Sequence, residues 1–439
     1  MTANRTLQIA FCALGVVIFA VGAGAAEADL EKQLQSLKES NEALRQQLQK
    51  QEKTIDELSK KVSAISTDAA NESTPAKEKK DDTDLTSKPL GFHLGRVRFT
   101  GEGGAGFFRS GPDGVYPNSE FRIDEAKLFV EAPLWNETYF FGELNLTQRE
   151  DPTESLSMGE LYIDFENVSR LWRKDKLVNL RIGRMDIPFG EEYQVRDSID
   201  NPLITHSLSD IWGVDEGVEL YGSYRKFNYA VAVQNGSHPS LRDYNSDKSI
   251  AARISLDPTP EVHVSLSTMR TGALDSAGDK FSEVWFGNGL LRPLDSADTP
   301  SFHGDLIEGD VQYRLPQGHL KAAGGWVSYG DHHVPHNRRD MYYYYVEATQ
   351  NLTKHFYLGG RWSQIFAPNG SPIMGNGNYG QYFLGNLTKN IWRLSLGAGW
   401  RFSDSLALKA EYMFENGKTT SGSNRSREDM FATEVVFKF

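Results

Sequence analysis

The sequence predicts an all-β protein: a 16-stranded antiparallel transmembrane β-barrel with an N-terminal α-helical coiled-coil extension. Three observations predict it. The last residues alternate, with Phe431, Thr433, Val435, Phe437 and Phe439 on one side and Ala432, Glu434, Val436 and Lys438 on the other. Beyond residue 91, segments of the same period are joined by connections that are short and long in turn. After residue 26 no stretch approaches the roughly 18 consecutive apolar residues of a membrane helix. Aromatic residues nevertheless make up 11% of the chain and glycine 40 of its 439 residues. That combination excludes a helical membrane protein and suits barrel strands, which alternate and carry little net hydropathy.

Residues 1–26 read as a signal peptide. A single charge, Arg5, precedes an apolar run from Leu7 to Val21, and small residues from Gly22 to Ala26 follow. About 15 residues fall short of the roughly 20 that span a bilayer as a helix, so export is the expectation and a signal anchor the alternative. Cys12 is the only cysteine and lies inside this segment, after Phe11 rather than a small residue. A processed chain therefore has no thiol, which excludes disulfides, zinc–thiolate sites and cysteine nucleophiles. Loss of Arg5 takes the formal charge one unit below the −12 of the full chain. This acidic balance argues against a nucleic-acid partner.

Residues 27–65 predict a coiled coil. Leu30, Leu34, Leu37, Leu44, Leu48, Ile55, Leu58, Val62 and Ile65 keep a 4-3 rhythm, with Asn41 and Gln51 in its two polar slots. With Leu34 at a and Leu37 at d, Asn41 occupies an a position, where one buried amide fixes register and parallel alignment. A solitary surface helix has no use for so regular a seam, so self-association is expected. Residues 66–90 lose the rhythm, contain Pro75 and the charged run from Lys77 to Asp82, and read as a solvated linker.

Residues 91–439 repeat one unit, an alternating strand and a connection. In 160–166, Leu161, Ile163 and Phe165 oppose Glu160, Tyr162, Asp164 and Glu166. In 392–402, Trp392, Leu394, Leu396, Ala398, Trp400 and Phe402 oppose Arg393, Ser395, Gly397, Gly399 and Arg401; in 406–415, Leu406, Leu408, Ala410, Tyr412 and Phe414 oppose Ala407, Lys409, Glu411, Met413 and Glu415. One face suits lipid and the other water. Short links fall near 133–137, 167–176, 225–226, 257–260, 315–318, 351–354 and 403–405. Long ones fall near 108–120, 148–156, 188–214, 236–247, 271–302, 330–340, 367–389 and 416–429. Strict alternation requires sixteen strands with both ends on the short-turn side. The segments 271–302 and 367–389 have room for a further hairpin. A barrel of this size leaves an aqueous channel, whereas one of about eight strands fills its interior with side chains. A soluble sandwich also predicts alternation, but not the link pattern or the terminal aromatic strand.

Specific stretches add a family likeness. Arg181-Ile-Gly-Arg-Met-Asp-Ile-Pro-Phe-Gly190, then Trp212-Gly-Val-Asp-Glu-Gly-Val-Glu-Leu-Tyr-Gly222, Asn228-Tyr-Ala-Val-Ala-Val-Gln-Asn-Gly236 and Ala252-Arg-Ile-Ser-Leu-Asp-Pro258 resemble the core pattern of the phosphate-selective porins of the O and P type. The resemblance covers roughly residues 90 to 439. It implies a homotrimeric sixteen-strand porin in the bacterial outer membrane, with the coiled coil as a periplasmic extension. It also implies membrane lipid around the barrel and a closing strand, ending in Phe437 and Phe439, that the barrel-insertion machinery reads. Anion choice in that family rests on arginines and lysines lining the pore. Here the predicted inward positions are mixed: Arg96, Arg98, Arg253, Arg361, Arg393 and Arg401 stand against Glu125, Glu143, Glu160, Asp164, Glu219 and Glu411.

The link 188–214 occupies the place where porins fold a loop into the lumen. It carries Glu191, Glu192, Arg196, Asp197, Asp200, His206 and Asp210, so an inserted loop sets acids against a basic wall and creates a transverse field; a loop capping the outer rim is the alternative. His332, His333 and His336 form a compact group whose imidazoles could share a metal. No carboxylate pattern supports a catalytic zinc site there, and the sequence assigns no metal and no cofactor. No compact motif assembles a nucleophile with an acid and base, so an enzyme is not expected. The expected function is a passive diffusion channel for small hydrophilic solutes, anions such as phosphate among them. The alternative is a structural tether that uses the coiled coil to hold the barrel to peptidoglycan.

Overall fold

The computed structural model describes residues 92–147, 156–195, 197–236, 243, 245–275, 285–286, 289–291, 301–330, 338–368, 373–375, 388–419 and 421–439. The signal peptide, the coiled coil, the linker and the group His332, His333 and His336 lie outside them. Every described residue belongs to the compact unit Asp84–Phe439.

Among the described residues, sixteen long antiparallel strands form a closed barrel. They are β1 (Val97–Ser110), β2 (Glu120–Trp135), β3 (Thr138–Thr147), β4 (Ser157–Phe165), β5 (Asn179–Asp186), β6 (Val214–Tyr224), β7 (Phe227–Gln234) and β8 (Ser249–Leu256). The second half comprises β9 (Val262–Arg270), β10 (Gly304–Leu315), β11 (Gly318–Gly330), β12 (Arg338–Asn351), β13 (Phe356–Phe366), β14 (Thr388–Ser403), β15 (Leu406–Thr419) and β16 (Met430–Lys438). Each strand pairs with its neighbours in sequence, and β16 closes on β1 from Glu102↔Lys438 to Ser110↔Met430. Gly101 and Phe439 then exchange two backbone hydrogen bonds of 2.8 and 3.1 Å, so the last residue is itself stitched into the seam.

Closure explains why alternation is so regular. A closed sheet leaves no edge, and each strand must present one side to the outside and one to the interior. On β16, Phe431, Val435 and Phe437 are exposed while Ala432, Glu434 and Val436 are buried. The outer face is largely apolar, with Ile182, Val218, Leu220, Ile254, Leu358 and Leu408 exposed on it, and Trp362 of β13 stacks on Trp392 of β14 at 5.0 Å between ring centroids.

Connections follow the expected alternation except between β4 and β5, where a long link stands in place of a short one. Among the short ones, Tyr224 and Phe227 flank a two-residue turn whose Arg225 takes a left-handed φ of 57°. The link between β4 and β5 is longer and is organised by buried Asn167. Its amide nitrogen donates to Asp175 Oδ1 and its amide oxygen accepts the Lys176 N–H, both at 2.7 Å. In 271–302 the extra pairing is local: Leu274–Asp275 pairs with Ser301–Phe302, and Trp285–Phe286 with Gly289–Leu291, which in turn pairs with Ile373–Gly375. These ladders stand apart from the wall sheet and add no strand to it.

The apolar core is inside the barrel, and much of it comes from one connection. Ile187, Phe189, Leu208 and Ile211 of the link between β5 and β6 are buried against Met269, Leu306, Val327 and Ile365 of the wall. Ile204 joins a second cluster with Phe108, Met413 and Met430. That link, 187–213, is the third long one.

Candidate functional site

The side chains of 187–213 explain how a connection of this length stays inside the barrel. Its backbone polar groups would be orphaned in an apolar setting, and buried backbone groups require partners. Inward-facing wall residues supply them. The N–H groups of Ile204 and Thr205 donate to Glu411 Oε2 at 2.7 and 2.8 Å, and the Thr205 hydroxyl donates to Glu411 Oε1 at 2.5 Å. The Lys409 ammonium, two residues earlier on β15, donates to the carbonyls of Ser198, Asn201 and Leu203. Arg361 of β13 donates to the Thr205 carbonyl at 2.7 Å and to Asn201 Oδ1 at 3.0 Å, while its Nε donates to Glu347 Oε2 at 2.9 Å. Further round the wall, the Leu208 N–H donates to Ser363 Oγ at 3.2 Å, the Gly190 N–H to Ser267 Oγ at 3.0 Å, and the Ser198 hydroxyl to Glu125 Oε2 at 2.6 Å.

Two wall glycines make room. A Cβ on Gly397 would come within 2.6 Å of Leu203 Cδ2, and one on Gly359 within 3.3 Å. Gly190, at φ +75°, turns where a Cβ would meet Glu308 Oε1 at 2.5 Å, a position that both backbone conformation and space reserve for glycine. The loop thus crosses the lumen and is hydrogen-bonded to strands as far apart as β2, β9, β13 and β15.

Opposite the β13–β15 anchorage a cavity of about 450 Å³ remains. Tyr162, Arg181, Glu219 and Tyr221 line it from the wall, with Glu160, Asp186 and Arg253, and Tyr193 and Gln194 from the loop. The Arg181 guanidinium lies between two phenol rings, 4.9 Å from the Tyr162 centroid and 4.4 Å from that of Tyr221. It donates to Asp164 Oδ2 at 2.9 Å and Glu219 Oε1 at 3.3 Å. Arg253 donates to Glu191 Oε1 at 3.0 Å and lies 5.5 Å from the Tyr193 ring centroid. Burial pushes the Tyr193 phenol well above its ordinary range, so it stays protonated.

The structure distributes the sequence-derived site residues unevenly. Glu191 and Arg253 meet at the edge of the cavity, and His263 Nε2 lies 3.2 Å from the same Glu191 oxygen. Asp197 and Asp200 sit on the loop, half-exposed, 3.9 Å from Lys127 Nζ and 3.3 Å from Lys438 Nζ. Glu192 is buried within the loop and accepts from the Ser207 N–H at 2.7 Å and the Ser207 hydroxyl at 2.5 Å. Arg361 and Arg393, expected at inward, pore-lining positions, do face inward but lie against the loop. Arg361 is only 4% exposed; Arg393 donates to Glu415 Oε2 at 2.6 Å and to the His206 carbonyl at 3.4 Å. Backbone carbonyls of the loop attract these cations, which removes them from the water-facing set.

Arg96, Arg98 and Arg401 correct the expectation in another way, because they lie at the short-turn end of the barrel. Arg96 is exposed in the turn before β1. Arg98 pairs with Glu131 at 3.4 Å, and Arg401 lies 4.2 Å from the Tyr357 ring centroid. Sequence reasoning assigned no role to Arg181, Tyr162 and Tyr221 in the cavity or to Lys409 as an anchor. Their inward parity was readable, but not which of them the loop would cover.

No family model matches the sequence, and no curated protein is a detectable relative. Solved structures do share the fold. The outer membrane channel DcaP of Acinetobacter baumannii is 12% identical with a TM-score of 0.52, over 78% of this chain and 97% of that one. In-vitro folded OmpT, an outer membrane protein of Vibrio cholerae, is 10% identical with a TM-score of 0.51, over 80% of this chain and all of that one. The trimer form of that protein is 11% identical with a TM-score of 0.51, over 78% and 99%. At such identities the likeness is one of fold.

Proposed function

We propose that the protein is a non-enzymatic porin of the bacterial outer membrane, a passive diffusion channel for small hydrophilic solutes. The observation that carries this reading is the inserted loop 187–213. It narrows a closed barrel from within yet leaves a polar cavity of about 450 Å³ beside it. The apolar outer face suits lipid, and the fold shared with an outer membrane channel supports the same reading. Anions such as phosphate belong to the proposed solutes, with weak charge discrimination, because Arg181 and Arg253 of the cavity are each offset by carboxylates. The finer assignment to the phosphate-selective O and P type rests on the sequence resemblance.

Homotrimer formation is part of the proposal, supported by the coiled-coil heptads and by the trimeric form of a protein with this fold. So is a signal peptide at 1–26, with residues 27–65 placed in the periplasm, where they are positioned to reach peptidoglycan. Phe437 and Phe439 are proposed as the group read by the insertion machinery. A Phe439→Asp variant should then be synthesised and exported but accumulate in the periplasm or be degraded. Normal outer-membrane yield, measured on fractionated cells, would remove that role.

Conductance in planar bilayers, with reversal potentials in asymmetric salt, tests the channel itself. Discrete steps with a small reversal potential are expected. Absence of steps from protein shown to be folded by heat-modifiable gel migration would sink the reading.

A further inference from the structure

We propose that the inserted loop is a binding site for one divalent transition cation of the zinc class, held by Glu192, His206 and Asp210. All three are buried, and one donor atom from each, two carboxylate oxygens and an imidazole nitrogen, lies within 4.8 Å of the others. His206 Nδ1 is 3.8 Å from Asp210 Oδ1. Zinc bonds of about 2.0–2.2 Å in a tetrahedron set donors roughly 3.3–3.5 Å apart. The His206–Asp210 pair is therefore a few tenths of an ångström wider than in a loaded site, and side-chain rotation would have to draw Glu192 in with it.

The donor set selects the class of ion. Calcium and magnesium take oxygen ligands, whereas an imidazole with two carboxylates suits zinc, cobalt or nickel. Three protein donors leave a fourth position for water. The surroundings orient the donors as outer-shell groups do in metal sites. Ser207 donates through its N–H and its hydroxyl to the two Glu192 oxygens, and its hydroxyl oxygen accepts the Asp210 N–H at 2.9 Å.

Position in the loop gives the site its consequence. Glu192 begins the single 3-10 turn of the outgoing arm, Glu192–Val195, while His206 and Asp210 lie on the returning arm. A bound cation would join the two arms and fix the loop where it crosses the lumen. Binding is independent of whether the pore conducts, so it is read without current.

The test uses tag-free full-length protein, folded in detergent, stripped with EDTA and titrated with Zn²⁺ or Co²⁺. One equivalent of metal should remain after dialysis, measured by elemental analysis, and Co²⁺ should give the visible bands of a low-coordinate nitrogen–oxygen site. His206→Gln and Asp210→Asn should each weaken binding at least tenfold, with heat-modifiable migration confirming the folded barrel. Replacing His332, His333 and His336 with alanine together should leave affinity unchanged. Metal retained by His206→Gln but lost with that triple change would overturn the proposal, as would no retention at micromolar metal.

Discussion

The two sides of the lumen use the same kinds of residue to opposite ends. On β13 to β15, Arg361, Lys409, Glu411 and Glu415 are all buried, and the first three hold loop backbone. On β4 to β8, Arg181 and Arg253 lie among tyrosines and carboxylates and border open space. Arg361 and Arg181 each pair with strand carboxylates, yet the Arg361 side chain is 4% exposed and that of Arg181 29%. An inward charge is thus a structural or a permeation element according to whether the loop lies on it. The loop decides this through its backbone carbonyls, which accept hydrogen bonds from the cations of one wall.

The largest expected effect comes from breaking the anchored side. Arg361→Ala leaves the Glu347 carboxylate with one partner fewer and takes from the Thr205 carbonyl and Asn201 Oδ1 the donor that ties them to the wall. Removing one member of a buried pair costs about 3–5 kcal/mol. Lys409→Met should act in the same direction, since it strips the carbonyls of Ser198, Asn201 and Leu203 of their shared donor. Both variants should lower the denaturation midpoint in detergent and raise open-channel current noise. A midpoint and noise equal to the parent's would mean that the loop is held elsewhere.

Arg181→Ala probes the open side and should cost less stability than Arg361→Ala, because the Arg181 side chain is 29% exposed and water in the cavity can solvate the buried Asp164 and Glu219 carboxylates it leaves behind. Its effect belongs to conduction. With Asp164 and Glu219 no longer offset, reversal potentials should move toward cation preference at low salt. The shift should shrink as the Debye length falls from about 10 Å at 0.1 M to about 3 Å at 1 M. If Arg181→Ala destabilised the protein as much as Arg361→Ala, the contrast between the two walls would be lost.

The sequence carried the wall well and the lumen poorly, for a physical reason. Strand parity is local, so residues such as Trp392 and Arg393 declare their faces from period alone, and link lengths set the strand count. The loop 187–213 was recognisable by length, position and its acids. Its course depends on contacts between residues about 200 positions apart, such as Thr205 with Glu411. No local pattern encodes that. Gly359 and Gly397 were the nearest signal, since a glycine on the water side of a strand leaves a hollow, and Leu203 fills the one between them.

The smallest effect concerns a partly exposed contact between two outer connections. Asp247, in the link between β7 and β8, shares a 2.5 Å hydrogen bond with His303 Nε2 in the link before β10. That bond holds the Asp247 carboxyl below its usual range. A depressed carboxylate contributes stability above its unfolded pKa, about 3.9, and loses it as pH falls through the lower folded value. The contact should therefore hold at about pH 5 and weaken toward about pH 3, and Asp247→Asn should abolish this dependence. Both side chains are at least one-third exposed, so solvent screens the pair and global stability should not move. The change should appear only locally, as reduced protection against hydrogen exchange, after correction for the intrinsic pH dependence of exchange, in residues 245–248 and 301–304 of the parent at the lower pH. Equal exchange in parent and variant at both pH values would show that the pair does not tie the two connections together.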